Sequence, residues 1–376
     1  MTTPGYLARE HLDRLFAALR ADGYRCVGPG VQDGAIQYRE LPDLPDYSGA
    51  QTLPSGWRDT QEPGCYRLEH TATPRQFAWA NGPQALKPFL FAPRETLWRV
   101  ERNVDGRLVF KPVEAAETRP LAVIGVRACD VAALRLQDAH FLDNTYRDPQ
   151  YAARREGLFL VAVNCTHPAA TCFCVSTGDG PALSDNDTTC DLILDELDAG
   201  FAVKSASARG EAIAAKLDLR PLDAVETSSI AEQRAHARTQ QRALPSRDLR
   251  PLFEGRLDHP RWAEVAARCL ACGNCTSVCP TCFCHSDHDL PAIDNSGSAH
   301  YREWDSCFTQ GHSYIHGITL RADTRLRYRQ WLTHKLGTWH DQYGRSGCVG
   351  CGRCIGWCPV GIDITEEVAA LAADAP

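Results

Sequence analysis

Two stretches near the C-terminus share one cysteine spacing closed by proline: Cys269-Leu-Ala-Cys272-Gly-Asn-Cys275-Thr-Ser-Val-Cys279-Pro280 and Cys348-Val-Gly-Cys351-Gly-Arg-Cys354-Ile-Gly-Trp-Cys358-Pro359. Each reads C-x2-C-x2-C-x3-C-P. Three thiols at two-residue intervals can only wrap a tight loop around one compact group, with the loop's backbone N–H groups free to turn toward the sulfurs. The fourth thiol lies past the loop, where a short helix carries it toward a second site, and proline ends the wrap. This is the bacterial ferredoxin run for [4Fe–4S] ligation, in which the fourth cysteine of each run serves the other cluster. The expected ligand sets are therefore crossed: Cys269, Cys272, Cys275 and Cys358 for one cluster, and Cys348, Cys351, Cys354 and Cys279 for the other. Gly273 and Gly352 follow the second cysteine of each run, where a tight wrap needs backbone freedom. A zinc ribbon, the competing reading, uses C-x2-C pairs and leaves two of the four cysteines in each run unexplained.

The chain holds 18 cysteines in 376 residues. In a small secreted protein such density means a disulfide framework, but this chain is long enough to bury a core without staples, and its first residues, MTTPGYLAREHLDRLF, carry charges where an export signal needs an apolar stretch. The longest apolar run, Leu158 to Val163, is far below the ~20 residues that span a bilayer. A net charge of −7 gives no reason to expect nucleic acid or an anionic membrane as partner. A cytoplasmic location is expected.

Ahead of the cysteine runs, residues 1–250 read as a mixed α/β domain, divisible into subdomains of about 1–120 and 121–250. A helix is expected over Leu7 to Arg20, where Leu12, Leu15, Phe16 and Leu19 recur at helical spacing. Cys26 and Cys65 stand alone and read as buried small apolar side chains. Leu121 to Val126 and Leu158 to Val163 are continuous apolar runs expected to pair as parallel strands, with a helix between them capped by Asp130. These strands deliver Cys129 and Cys165 at their carboxyl ends, the edge where open α/β sheets place ligands. A hairpin is expected around DLILDEL and FAVKS, and connecting helices over 205–249. Residues 251–376 form the ferredoxin-like dicluster domain, with a long insertion over 285–345 that contains a basic run, Arg325 to Lys335, read as a solvated face or docking surface.

Ten cysteines lie outside the two runs. The tetrapeptide Thr-Cys-Phe-Cys occurs twice, at Thr171–Cys174 and Thr281–Cys284. Cys129, Cys165, Cys172 and Cys174 are enough to hold a third [4Fe–4S] cluster. Against that reading, cysteines one residue apart rarely both face one cube, and the alternative is four packing thiols. Cys282, Cys284 and Cys307 lack an obvious fourth partner and read as structural, and Cys190 as inert. No G-x-G-x-x-G follows a strand, and there is no P-loop, H-E-x-x-H or CCG-type motif.

The order RACDVAALRLQD, DPQYAARR, VNCTHPAATCFC, CGNCTSVCPTCFC, EWDSC and GCVGCGRCIGWCPVGIDI resembles the iron–sulfur β subunit of cytosolic NAD(P)-linked nickel–iron hydrogenases (sulfhydrogenases), a family that includes the iron–sulfur subunit of anaerobic sulfite reductase. With GPQALKPFLFAPRETLW the likeness runs from about Gly82 to Ile364; GPQALKP departs from the commoner form, which has an aromatic residue before the lysine. The resemblance implies an electron-transfer subunit that is not catalytic alone. It would relay electrons between a flavin subunit that binds NAD(P) and a catalytic subunit holding nickel–iron or sirohaem, with the family's dicluster ligands falling on the eight cysteines above. Hydrogenase is the leading expectation and sulfite reductase the first alternative; a redox-sensing regulator and a zinc-stabilised scaffold are the readings from other classes.

Overall fold

The computed structural model describes residues 3–42, 53–113 and 119–373. Its N-terminal half is built on an eight-stranded sheet. In chain order the strands are β1 (Gly5–Ala8), β2 (Arg25–Gln32), β3 (Ala35–Glu40), a separate hairpin β4 (Trp57–Glu62) and β5 (Cys65–His70), then β6 (Arg94–Arg102), β7 (Leu108–Pro112), β8 (Leu121–Val126), β9 (Phe159–Val163), β10 (Leu192–Glu196), β11 (Gly200–Ser205) and β12 (Arg220–Pro221). The large sheet runs β12-β1-β11-β10-β9-β8-β2-β3. Its centre, β10-β9-β8-β2, is parallel, and both flanks are antiparallel. Alternation along the central strands feeds two cores: Ile124, Val161 and Leu194 join Leu15, Phe16 and Leu19 on one face, while Val123, Leu160 and Ile193 meet Val131, Leu134 and Phe141 on the other. The apolar runs at 121–126 and 158–163 thus pair as parallel strands, and the 192–205 hairpin forms as the sequence suggests.

Three local expectations are corrected. The N-terminal helix spans Leu12–Ala21, because Gly5–Ala8 is taken into the sheet by antiparallel pairing with Gly200–Val203. The helix Ala128–Phe141 is entered through Arg127, and Asp130 lies buried in its first turn with its carboxylate committed elsewhere. Cys26 is buried, but Cys65 sits half-exposed at the tip of the β4–β5 hairpin.

The insertion does not stand apart from the N-terminal half. Its strands β13 (His285–Pro291) and β14 (Gly297–Trp304) complete a second sheet, β13-β14-β6-β7, with two strands from before residue 120. Arg302 of β14 is buried where this sheet meets the first domain: its Nε donates to Glu95 Oε1 at 2.7 Å, and its guanidinium also pairs with Asp148. The basic run keeps Arg325 exposed and Arg327 and Arg329 half-exposed, and only its last cation is buried. It forms the helix Thr324–Thr333, burying Tyr328, Trp331 and Leu332, and Lys335 just beyond it is buried too. Arg302→Ala would leave Asp148 and one oxygen of Glu95 without their cation at a cost of about 3 kcal/mol, read as a lower unfolding temperature than wild type at one scan rate; an unchanged transition would show that the second sheet is held by its strand pairing alone.

Candidate metal centres

The two cysteine loops are near copies of each other. In each, the residue just before the second cysteine and the glycine after it are left-handed: Ala271 (φ 50°) and Gly273 (φ 74°), Gly350 (φ 64°) and Gly352 (φ 75°). These two reversals curl the backbone around the thiols, so that Ala271 N–H points to Cys269 Sγ and Gly350 N–H to Cys348 Sγ, both at 3.4 Å. Gly273 and Gly352 then open the short helices Asn274–Ser277 and Arg353–Gly356, which lead to Cys279 and Cys358.

Cys269, Cys272, Cys275 and Cys358 line one cavity, with a wall of Phe308, Tyr328, Trp331, Ile362 and Ile364. Cys354 of the second run reaches the same cavity. Burial pushes the Cys269 and Cys275 thiols up, so as thiolates they require a cationic partner. Four thiols in an apolar wall are a donor set that fits a thiolate-bound metal–sulfur cluster.

Cys279 leaves its own loop and lies in the field of the second. It is among the charges felt by Cys348, Cys351 and Cys354, whose thiols burial also pushes up, Cys348 to about 12. A hydrogen bond from Cys282 and the nearby Lys335 ammonium hold the Cys279 thiol well below its usual value. Lys335 Nζ donates to Thr281 Oγ1 at 2.8 Å and lies 4.6 Å from the centroid of the Trp339 ring. Arg353, inside the second run, pairs in full burial with Asp130, Nη1 to Oδ1 at 2.8 Å.

Cys129, Cys165, Cys172 and Cys174 line a third, tight cavity together with Arg127 and Cys351. The four thiols are buried and share it in spite of the single residue between Cys172 and Cys174. Gln240 Nε2 donates to Cys174 Sγ at 3.1 Å, and Asn81 Nδ2 donates to the Cys351 carbonyl at 2.8 Å. The second loop is seated directly on this site, with Phe173 N–H donating to the Gly350 carbonyl at 2.8 Å. Among the described residues, no three cysteine, histidine or carboxylate groups converge closely enough to hold a single metal ion.

Sequence spacing missed Lys335, Asn81, Gln240 and the Asp130–Arg353 pair, since each contacts the sites from a distant part of the chain. Cys190 is buried in the core away from the cysteine-lined cavities. Cys282 and Cys284 line a further cavity with Cys272 and Lys87.

Comparison with known proteins agrees with the loops. The 4Fe-4S dicluster domain family matches residues 268–362. The chain is similar to the sulfhydrogenase 2 subunit beta of Pyrococcus furiosus, 30% identical over 295 residues, covering 75% of this chain and 82% of that protein. No solved structure matches it.

A Cβ on Gly350 would meet the Cys174 backbone at 2.5 Å, whereas Gly344, at a similar φ of 71°, faces open space. Both alanine variants carry the left-handed penalty, about 1 kcal/mol or more. Gly350→Ala should therefore unfold at a distinctly lower temperature than Gly344→Ala, and equal transitions would show that the two loops can part without loss.

Proposed function

The chain belongs to the family of sulfhydrogenase β subunits, and from that premise we propose that it is the electron-transfer subunit of a nickel–iron hydrogenase, placed between a flavin subunit that binds NAD(P) and the catalytic subunit. The observation that carries this reading is the adjacency of three cysteine-lined sites. Cys354 of the second run reaches the cavity of the first, and Cys351 reaches the N-terminal cavity. The sites therefore adjoin in the order N-terminal, second run, first run.

We assign Cys269, Cys272, Cys275 and Cys358 to one [4Fe–4S] cluster, Cys348, Cys351, Cys354 and Cys279 to the next, and Cys129, Cys165, Cys172 and Cys174 to a third. Clusters bound there would supply one-electron transfer, at potentials set by hydrogen bonds to sulfur, net charge and exposure. The chain's own residues govern those three quantities. Ala271 and Gly350 N–H and the Gln240 amide reach the sulfurs. Buried Lys335 and Arg127 offset thiolate charge beside the second and third sites. The aromatic wall of Phe308, Tyr328 and Trp331 keeps water from the first. Cys272 is exposed, which gives the first site an edge at the surface for a redox partner.

Two measurements test the reading. Cys358→Ala should cost about four iron and four sulfide per chain and remove the cluster of the first run, and loss of the second-run cluster instead would refute the crossed ligation. Cys165→Ser should likewise lose one cluster's iron, and an unchanged content would return the N-terminal thiols to a packing role. Separately, the isolated chain should neither oxidise hydrogen with an oxidised viologen as acceptor nor, once reduced by dithionite, reduce NAD(P), while the complete complex does both. Turnover by the isolated chain would reject the relay role, and sulfite reduction by the complex would move the assignment to a sirohaem partner.

A further inference from the structure

Three cysteines remain outside the assigned sets, and they converge. The charge neighbours of Cys282 include Cys284, and the first charge neighbour of Cys307 is Cys284 as well. Cys284 also interacts with the imidazole of His312. Cys284 is thus the hub of a constellation drawn from three separate segments: the second Thr-Cys-Phe-Cys, the Asp305-Ser306-Cys307 turn, and the short 3-10 helix Gln310–Ser313. We propose that Cys282, Cys284, Cys307 and His312 hold a further iron–sulfur cluster with three thiolate ligands and one imidazole.

Four observations carry the assignment. First, there is space: Cys282 and Cys284 open onto a cavity of about 210 Å³, whose rim includes Cys272 and Ser306, the residue before Cys307. Second, the histidine is oriented as a ligand. Its Nδ1 is bound to Asp305 Oδ2 at 2.9 Å, and that carboxylate is fixed in turn by Ser286, so Nε2 is the nitrogen left to ligate. A carboxylate behind a ligating histidine is the usual second partner of a metal-bound imidazole.

Third, the surroundings call for an anion. Lys87 is buried on the cavity wall with Nζ on the Ser277 carbonyl at 2.9 Å and 3.8 Å from the centroid of the Trp304 ring. Lys335 is buried on the other side, near Cys282. Among the described residues neither ammonium is paired with a carboxylate. A buried cation without an anionic partner is costly, and a cluster ligated by three thiolates carries the negative charge that Lys87 lacks.

Fourth, the donors are spaced more widely than those around a single zinc ion. Thiolates around one zinc ion lie about 3.8 Å apart, given Zn–S bonds of about 2.3 Å. No three donors among the described residues gather that closely. The two ferredoxin-type runs share this wider spread. The new centre would border both of them, because Cys307 is a charge neighbour of Cys275 and Cys282 is hydrogen-bonded to Cys279.

The test compares anaerobically purified full-length wild type with the triple variant Cys282→Ser/Cys284→Ser/Cys307→Ser. Being a difference between two proteins, it reads this site whatever number of clusters the other cysteines hold. The variant should contain about four fewer iron and four fewer sulfide per chain, with zinc unchanged. Equal iron in both proteins, or loss of one zinc atom in place of iron, would overturn the proposal. Should the triple variant fail to accumulate, His312→Cys keeps a metal ligand in place. Replacing imidazole by thiolate lowers a cluster's potential, so one midpoint in an EPR-monitored redox titration should move to a more negative value. Midpoints all equal to those of wild type would overturn the proposal just as firmly.

Discussion

The ion pair between Arg353 and Asp130 ties the two halves of the molecule together at the level of their metal sites. Arg353 stands between Cys351 and Cys354, and Asp130 follows Cys129, so one contact fixes the second cysteine loop against the N-terminal cysteine-lined cavity. The guanidinium also donates through Nε to the Gly82 carbonyl at 2.8 Å, which brings in a third segment. A fully buried pair gains little net stability, because the desolvation of both ions offsets their attraction. Its effect is on orientation: either partner alone would be an uncompensated buried charge, so the loop can dock in one way only. The backbone bond from Phe173 to Gly350 sets the register of that docking.

What the sequence revealed follows the range of the forces involved. The cysteine loops were legible because the cysteines, glycine and closing proline of each run lie within twelve residues, and local geometry determines the wrap. β8, β9 and the β10–β11 hairpin were legible for the same reason, as continuous apolar or alternating runs. The start of the first helix was not, since Gly5–Ala8 becomes a strand only through partners near residue 200. Asp130 fits an N-cap by local rules, yet its carboxylate is claimed by a residue 223 positions away. The basic stretch ending at Lys335 read as solvated because its charges are visible in sequence and the thiols that surround its last lysine are not. The grouping of Cys282, Cys284 and Cys307 was hidden for the same reason. Their fourth partner is a histidine, and the segment that supplies it is separated from the tetrapeptide by a whole β-hairpin.

Charge is distributed to match. The chain as a whole is acidic, but lysine and arginine side chains are buried where thiols gather: Arg127 at the N-terminal site, Arg353 and Lys335 at the second, Lys87 and Lys335 around Cys282 and Cys284. In a low-dielectric interior a thiolate without a counter-charge is disfavoured and the thiol stays protonated. The buried cations act against that tendency, and a metal cluster completes the compensation. The first site is the exception. It has an apolar wall and one exposed ligand, Cys272, so water can approach from the edge that the other sites keep closed.

The repeated Thr-Cys-Phe-Cys explains how two thiols one residue apart can serve one site. In the first copy Phe173 is buried in the C-terminal core, while Cys172 and Cys174 line the cavity shared with Cys129 and Cys165. In the second, Phe283 stacks on His140 at a centroid distance of 3.5 Å, while Cys282 and Cys284 open onto the cavity beside Lys87. The threonine is fully buried in both copies, bonded through Oγ1 to Gln61 in one and to the Gly347 carbonyl in the other. Threonine and phenylalanine therefore anchor the backbone from one side, and the cysteines on either side of the ring are left to project from the other. A segment pinned in this way loses little entropy when its thiols are ordered around a ligand. The same four residues can then build a site at the carboxyl edge of a parallel sheet and again at the border of the ferredoxin-type loops.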